Sequence, residues 1–175
     1  MENKEIGEIK VGYPDCCYQV GNNWFRYRAA ALIIEDGCLL AVTNPTSPYY
    51  YSVGGGVHMN EKSEDCVSRE VLEETGVAYE VDRLAVVCEN LFTGTEEMLH
   101  ELNCHVLEFY YLMKSRGSKD EVHSDSYGWN NAKEELVWIP IEKLPETNIK
   151  PEFLKTRIPD ILKANGVIHI VNDER

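Results

Sequence analysis

Gly54-Gly55-Gly56-Val57-His58-Met59-Asn60-Glu61 runs straight into Lys62 to Val77, which closes as Arg69-Glu70-Val71-Leu72-Glu73-Glu74-Thr75-Gly76-Val77. A glycine-rich turn followed by an acidic segment reads as strand, loop and helix. Ser63 has the side chain of an N-cap. Glu64 and Asp65 put negative charge in the first turn, where free backbone N–H groups and the macrodipole favour it. The helix is expected to end at Gly76, a residue that tolerates the left-handed conformation found past helix C-termini. Cys66, Val67 and Val71 share one side and should be buried, while Glu70, Glu73 and Glu74 share another. Two carboxylates about 4 Å apart near a surface repel by roughly 4 kcal/mol at an effective dielectric of 20, and a cation reverses that sign. Oxygen-only ligands suit Mg²⁺, with Mn²⁺ as the alternative. The competing reading of the three glutamates is a solvated acidic helix face.

The whole stretch resembles the signature of the Nudix hydrolase superfamily, G-x5-E-x7-R-E-U-x-E-E-x-G-U with U aliphatic. Its positions are Gly55, Glu61, Arg69, Glu70, Val71, Glu73, Glu74, Gly76 and Val77, and every one matches. The resemblance implies an α/β fold, an α/β/α sandwich around a mixed β-sheet, as one domain over residues 1–175. It further implies that Glu70, Glu73 and Glu74 bind divalent metal, that Arg69 orients a glutamate, and that Glu61 steadies the loop. Glu70, Glu73 and Arg69 are then the catalytic candidates of the box, and Gly55 and Gly56 lie against substrate. The implied activity is hydrolysis of a phosphoanhydride in a nucleoside diphosphate joined to another group, by water attack on phosphorus. Leu91, Phe92 and Thr93 stand where some subfamilies carry a marker proline or tyrosine, so nucleoside triphosphates or nucleotide sugars are favoured only weakly. His58-Met59-Asn60 departs from the common pattern, and His58 reads as a loop residue. One rival is a domain that senses a nucleotide without cleaving it; such domains are expected to lose box carboxylates, and this chain keeps all of them. Another is an isomerase of isoprenoid diphosphates, for which nothing beyond the fold speaks.

The chain has 175 residues and a formal net charge of −13, which argues against binding nucleic acid polymers or anionic membranes through a basic surface. Small phosphate esters remain compatible where a metal supplies positive charge. No N-terminal apolar run and no long apolar span stands out, so a cytoplasmic location is expected. The six cysteines show no C-x-x-C pairing and read as reduced thiols without a zinc site. A homodimer stays open.

Along the chain, residues 1–23 form a polar lead-in with room for one short strand. Trp24 to Ile34 and Cys38 to Thr43, joined by Glu35-Asp36-Gly37, read as a strand hairpin at the centre of the sheet. Arg26 and Arg28 project from one face of it, beside substrate phosphates or simply exposed. Tyr49 to Val53 resumes a strand, and Tyr51 either stacks on a base or packs at the rim. Ala78 to Glu89 and Glu101 to Met113 are further strands, the second central. Lys114 to Glu135 is a long polar loop or mobile hairpin, a lid in kind, and its Trp129 closes on a base or anchors the loop. Leu136 to Ile139 is a strand, Pro140 to Leu144 a turn or short helix, and Pro151 to Ala164 a closing helix kinked or split at Pro159.

Glu101 is the candidate carboxylate outside the box. It heads the long strand on a face shared with Asn103 and His105, and related hydrolases often complete the metal shell or supply the base from such a position. Glu97, Asp120 and Glu121 stand behind it.

Overall fold

The computed structural model describes residues 15–95, 99–127 and 132–175. Trp129, Glu97 and most of the lead-in lie outside them. Strands β1 (Cys17–Val20), β2 (Asn23–Leu32), β3 (Ile34–Glu35), β4 (Cys38–Thr43), β5 (Tyr50–Ser52) and β6 (Gly54–Gly56) precede helix α1 (Ser63–Thr75). Then come β7 (Val81–Thr93), β8 (Asn103–Met113), β9 (Glu135–Pro140), β10 (Ile149–Lys150), α2 (Ile158–Lys163) and β11 (Ile168–Glu174), with short 3-10 turns at Ile141–Glu146 and Glu152–Lys155.

Two sheets result. The larger runs β1-β2-β8-β7-β11 with β6 on β2, and the smaller runs β10-β5-β4-β3 with β9 on β4. The larger is mixed: β8 lies parallel to β2 and antiparallel to β7, and β11 parallel to β7. Apolar side chains leave β2 and β4 on both faces, so both faces need cover. Ala30, Leu32, Leu39 and Ala41 pack with Phe153, Leu154, Ile158 and Ile161 on one side. Ala29, Ala31, Ile33, Leu40 and Val42 pack with Cys66, Val67 and Val71 of α1 on the other. This is the expected α/β/α sandwich, with β8 central as read.

The helix prediction holds over its length, and Gly76 takes the left-handed conformation at φ 69° with its N–H on the Leu72 carbonyl. Its start differs from the expectation. The N-cap is Lys62 with no side-chain cap, because Ser63 is already helical and its hydroxyl pairs with the Tyr111 hydroxyl at 2.7 Å. The hairpin also differs. The apolar run breaks near Ile33, so β2 pairs with β1, β6 and β8, and of that run only the two residues of β3 pair with β4. The turn itself is as read, with Asp36 and Gly37 both at positive φ. The closing segment is split, its 3-10 turn and α2 separated before Pro159. Strands β10 and β11 were not foreseen.

The described residues of the 114–135 segment form a long loop, with one antiparallel bridge between Tyr127 and Lys133, and the loop is anchored to the body of the fold. Buried Glu35 accepts hydrogen bonds from the Ser115 hydroxyl at 2.6 Å, the Arg116 N–H at 2.6 Å and the Gly117 N–H at 3.1 Å. Farther along, the His123 N–H reaches the Thr75 carbonyl at 3.1 Å and the Ser126 hydroxyl reaches the Glu73 carbonyl at 3.1 Å. The loop is thereby tied to the C-terminal end of α1.

Candidate active site

The registers of the larger sheet lay its cleft floor out in rows. Arg28 stands beside Glu108, and Arg26 beside Val106, which in turn faces Asn90. β6 flanks β2, with Gly56 opposite Arg28 and Gly54 opposite Ala30. Helix α1 leaves the loop after β6 and turns its acidic face back toward these glycines. A cleft of about 1140 Å³ forms there, lined by Gly54, Gly55, Gly56, Glu70, Glu73, Glu74, Arg26, Arg28, Tyr51, Glu108 and Glu134, and farther out by Trp24, Phe92 and Tyr127.

Glycine is needed at the box because carboxylates lie against its backbone. A Cβ on Gly55 would fall well under 3.0 Å from the Glu70 carboxylate, and one on Gly56 would meet that of Asp15. Gly54 sits at φ +136°, a conformation that side chains rarely adopt, with the Ala29 carbonyl where its Cβ would be.

Arg69 is the clamp. Its Nε donates to Glu61 at 2.9 Å and its Nη2 to the other Glu61 oxygen at 3.1 Å, while Nη1 reaches Glu70 at 2.5 Å and Glu73 at 3.2 Å. Glu61 also accepts the His58 N–H at 2.9 Å, so its second task is to hold the loop. The Arg69 hydrogen bonds, with that backbone N–H, hold the Glu61 carboxyl down at about 2. Glu74 is buried and accepts the Gly54 N–H at 3.1 Å. Burial first, then the charge of Glu134, pushes its carboxyl up to about 8. Glu134 is buried too, takes the Tyr51 hydroxyl at 2.9 Å, and is raised by that burial.

Of the residues singled out in the sequence, Glu70, Glu73, Glu74, Gly55, Gly56, Arg26, Arg28 and Tyr51 line one cleft, with Arg69 alongside binding two of its carboxylates. Arg26 pairs with Asp15 at 3.1 Å, and Arg28 is turned onto protein oxygens. Glu101 is not brought there. It is exposed in the turn before β8, at φ 61°, its N–H on the Gly94 carbonyl, and it does not line the cleft. The alternation of β8 turns Asn103 and His105 outward and Val106 and Glu108 to the cleft. Glu108 and Glu134, with Asp15 and Glu174, are thus cleft carboxylates that sequence reasoning passed over.

The donor set is all oxygen, as a hard divalent cation requires. Among the described residues no three His, Cys, Asp or Glu side chains stand grouped to hold an ion as placed. Arg69 engages Glu70 and Glu73, and Glu74 is turned to Gly54.

The chain matches the NUDIX domain over residues 24–157. A MutT-like protein of Streptomyces ambofaciens is 39% identical over 66 residues, which span 38% of this chain and 43% of that protein. The match thus takes in less than half of that relative's length. The structure of a MutT NUDIX hydrolase from Burkholderia pseudomallei is 25% identical with TM-score 0.53, covering 67% of this chain and 84% of that one. The MutT protein of Methanosarcina mazei Go1 shares the fold at TM-score 0.60 and 21% identity, over 80% of this chain and 96% of that one.

Proposed function

The chain belongs to the NUDIX domain family, and from that premise we propose that it hydrolyses a phosphoanhydride bond in a nucleoside diphosphate joined to another group. Glu70, Glu73 and Glu74 would hold the divalent cation, Mg²⁺ first and Mn²⁺ second. The observation that carries the reading is the convergence of these three carboxylates and the glycine strand on one cleft, with Arg69 binding two of them. Their chemistry fits the ion: oxygen donors only, a Glu70 carboxylate seated where a Cβ of residue 55 would be, and a Glu74 whose burial disfavours a bare negative charge.

When bound, the cation supplies Lewis acidity, polarising phosphoryl oxygens and lowering the pKa of a coordinated water. Among the described residues seven acidic and three basic side chains line the cleft, so a polyphosphate enters it only with cationic charge. Glu61 and Arg69 fix the loop and the orientation of Glu70. Glu134, rather than Glu101, is the carboxylate outside the box placed to accept the proton of an attacking water, because it lines the cleft and its charge is felt at Glu74. Trp24, Tyr49, Phe92 and Tyr127 offer π-faces to a base. Triphosphates and nucleotide sugars head the list of substrates, and a cytoplasmic location accords with six unbridged cysteines.

The test is a panel of dNTPs, nucleotide sugars, ADP-ribose and diadenosine polyphosphates, assayed with Mg²⁺ for the wild type, Glu73→Gln and Glu74→Gln. Turnover by the wild type and its loss in both variants is expected. Unchanged turnover in the variants would sink the site assignment, and cleavage of ADP-ribose alone would overturn the substrate preference.

A further inference from the structure

We infer that Arg28 and Glu108 are positioning residues for Glu74, acting through the backbone of Gly54, and not contacts for the substrate phosphates. The inference rests on the reading that Glu74 holds the cation. Arg28 and Glu108 are partners in the parallel register of β2 and β8, and both side chains are nearly buried, at 12% and 6% exposure. The guanidinium spends its fork on the protein. Nη2 donates to the Ser52 carbonyl at 2.7 Å and the Gly54 carbonyl at 3.0 Å, and Nη1 to the Ser52 hydroxyl at 3.2 Å and Glu108 at 3.5 Å. Four of the roughly five donors an arginine carries are thereby committed. A phosphate would have to displace two backbone carbonyls to reach them.

Those two carbonyls bracket Val53, so one side chain fixes both ends of the segment between β5 and β6. Gly54 is fenced in from the other side by the Ala29 carbonyl and held at φ +136°. The Val53–Gly54 peptide between those two carbonyls is held by the Ala31 N–H on the Val53 carbonyl at 2.9 Å, and its own N–H points the other way, at Glu74 Oε2, 3.1 Å away. Glu108 balances the buried guanidinium and is itself held by the Tyr110 hydroxyl at 3.0 Å and the Asn90 amide at 3.5 Å. The chain of contacts therefore runs from Glu108 through Arg28 and Gly54 to a carboxylate of the box. Partners that orient a metal ligand typically matter 10–100-fold in metal affinity or activity.

The experiment is direct Mn²⁺ binding, followed by electron paramagnetic resonance without substrate, together with kcat and KM at saturating cation. Arg28→Lys keeps the charge, but one ammonium cannot reproduce the planar fork. It should bind Mn²⁺ about tenfold or more weakly, with substrate KM at saturating cation within about twofold of wild type. Glu108→Gln, nearly isosteric, should shift Mn²⁺ binding the same way and stands in if Arg28→Lys does not fold. Wild-type Mn²⁺ binding in the folded variants, whether substrate KM rises or stays unchanged, overturns the inference. Glu74→Gln separates the two levels. If it binds Mn²⁺ like the wild type, the cation assignment fails and the inference with it; if it alone loses Mn²⁺, only the positioning role fails.

Discussion

Replacing Gly55 with alanine should abolish most of the activity while leaving the fold intact. The new Cβ would lie under 3.0 Å from the carboxylate carbon and both oxygens of Glu70. Ordinary contact begins at 3.4 Å, so the carboxylate must retreat by about 1 Å, a displacement that costs on the order of 100-fold in rate when reacting groups are held in place. That factor corresponds to about 2.7 kcal/mol of transition-state stabilisation. The fold escapes because the obstructing atoms end a flexible side chain and Gly55 has no positive φ. Its melting temperature should therefore stay within about 4 °C of wild type. Gly54→Ala is the control of opposite sign. There the obstruction is the backbone of Ala29 and φ is +136°, so that variant should melt far lower or fail to fold. Initial rates with a cation titration, read beside thermal melting, decide the matter. A Gly55→Ala enzyme with wild-type kcat and wild-type cation dependence would refute the packing of Glu70 against this glycine.

Three further outcomes follow from the same geometry. Glu74 is raised from 4.5 to about 8, so its contribution to the stability of the cation-free fold is full below 4.5 and is lost as pH climbs through 8, whereas Mg²⁺ half-saturation should improve about tenfold per unit between roughly pH 6 and 8; a flat cation titration over that range contradicts it. Glu61 is depressed to about 2, so its contribution is present above 4.5 and lost as pH falls toward 2, and Arg69→Ala should flatten that acid limb in urea midpoints compared at pH 7 and pH 3. Glu35→Ala removes the carboxylate partner of the Arg116 N–H and one of the two partners of the Gly117 N–H, so it should cost about 2 kcal/mol and open residues 114–127 to limited proteolysis, and an uncut loop would show that other contacts hold it.

The helix of the box was legible because its information is local. The spacing of Cys66, Val67 and Val71, the acids of the first turn and the glycine after Thr75 lie within one short segment, and only the N-cap was displaced, by the long-range Ser63 to Tyr111 contact. Glu101 misled because period-2 alternation yields two faces without saying which one meets the cleft. The parallel pairing of β2 and β8, which sets Arg28 beside Glu108, makes that choice, and no local signal encodes it. Glu134 is one acid in a polar loop, and its burial depends on Tyr51, 83 residues earlier in the chain. The break near Ile33 hides inside a continuous apolar run, since residues buried on both faces look alike whichever sheet they join. Strand β11 was within reach: Ile168 and Ile170 alternate with His169, although its parallel partner β7 could not be read from that pattern.

The central claim, attack of water on a phosphoanhydride with the help of a cation that the box glutamates would hold, is tested most directly by ³¹P NMR of the reaction in ¹⁸O-labelled water. The account predicts that wild-type protein with Mg²⁺ converts a nucleoside diphosphate derivative to two phosphate-bearing products, one of them showing the isotope shift of a single new P–¹⁸O bond. Neither chelated protein nor Glu74→Gln should show it. Label entering the products at an equal rate from Glu74→Gln, or no phosphorus change with any member of the substrate panel, would contradict the account.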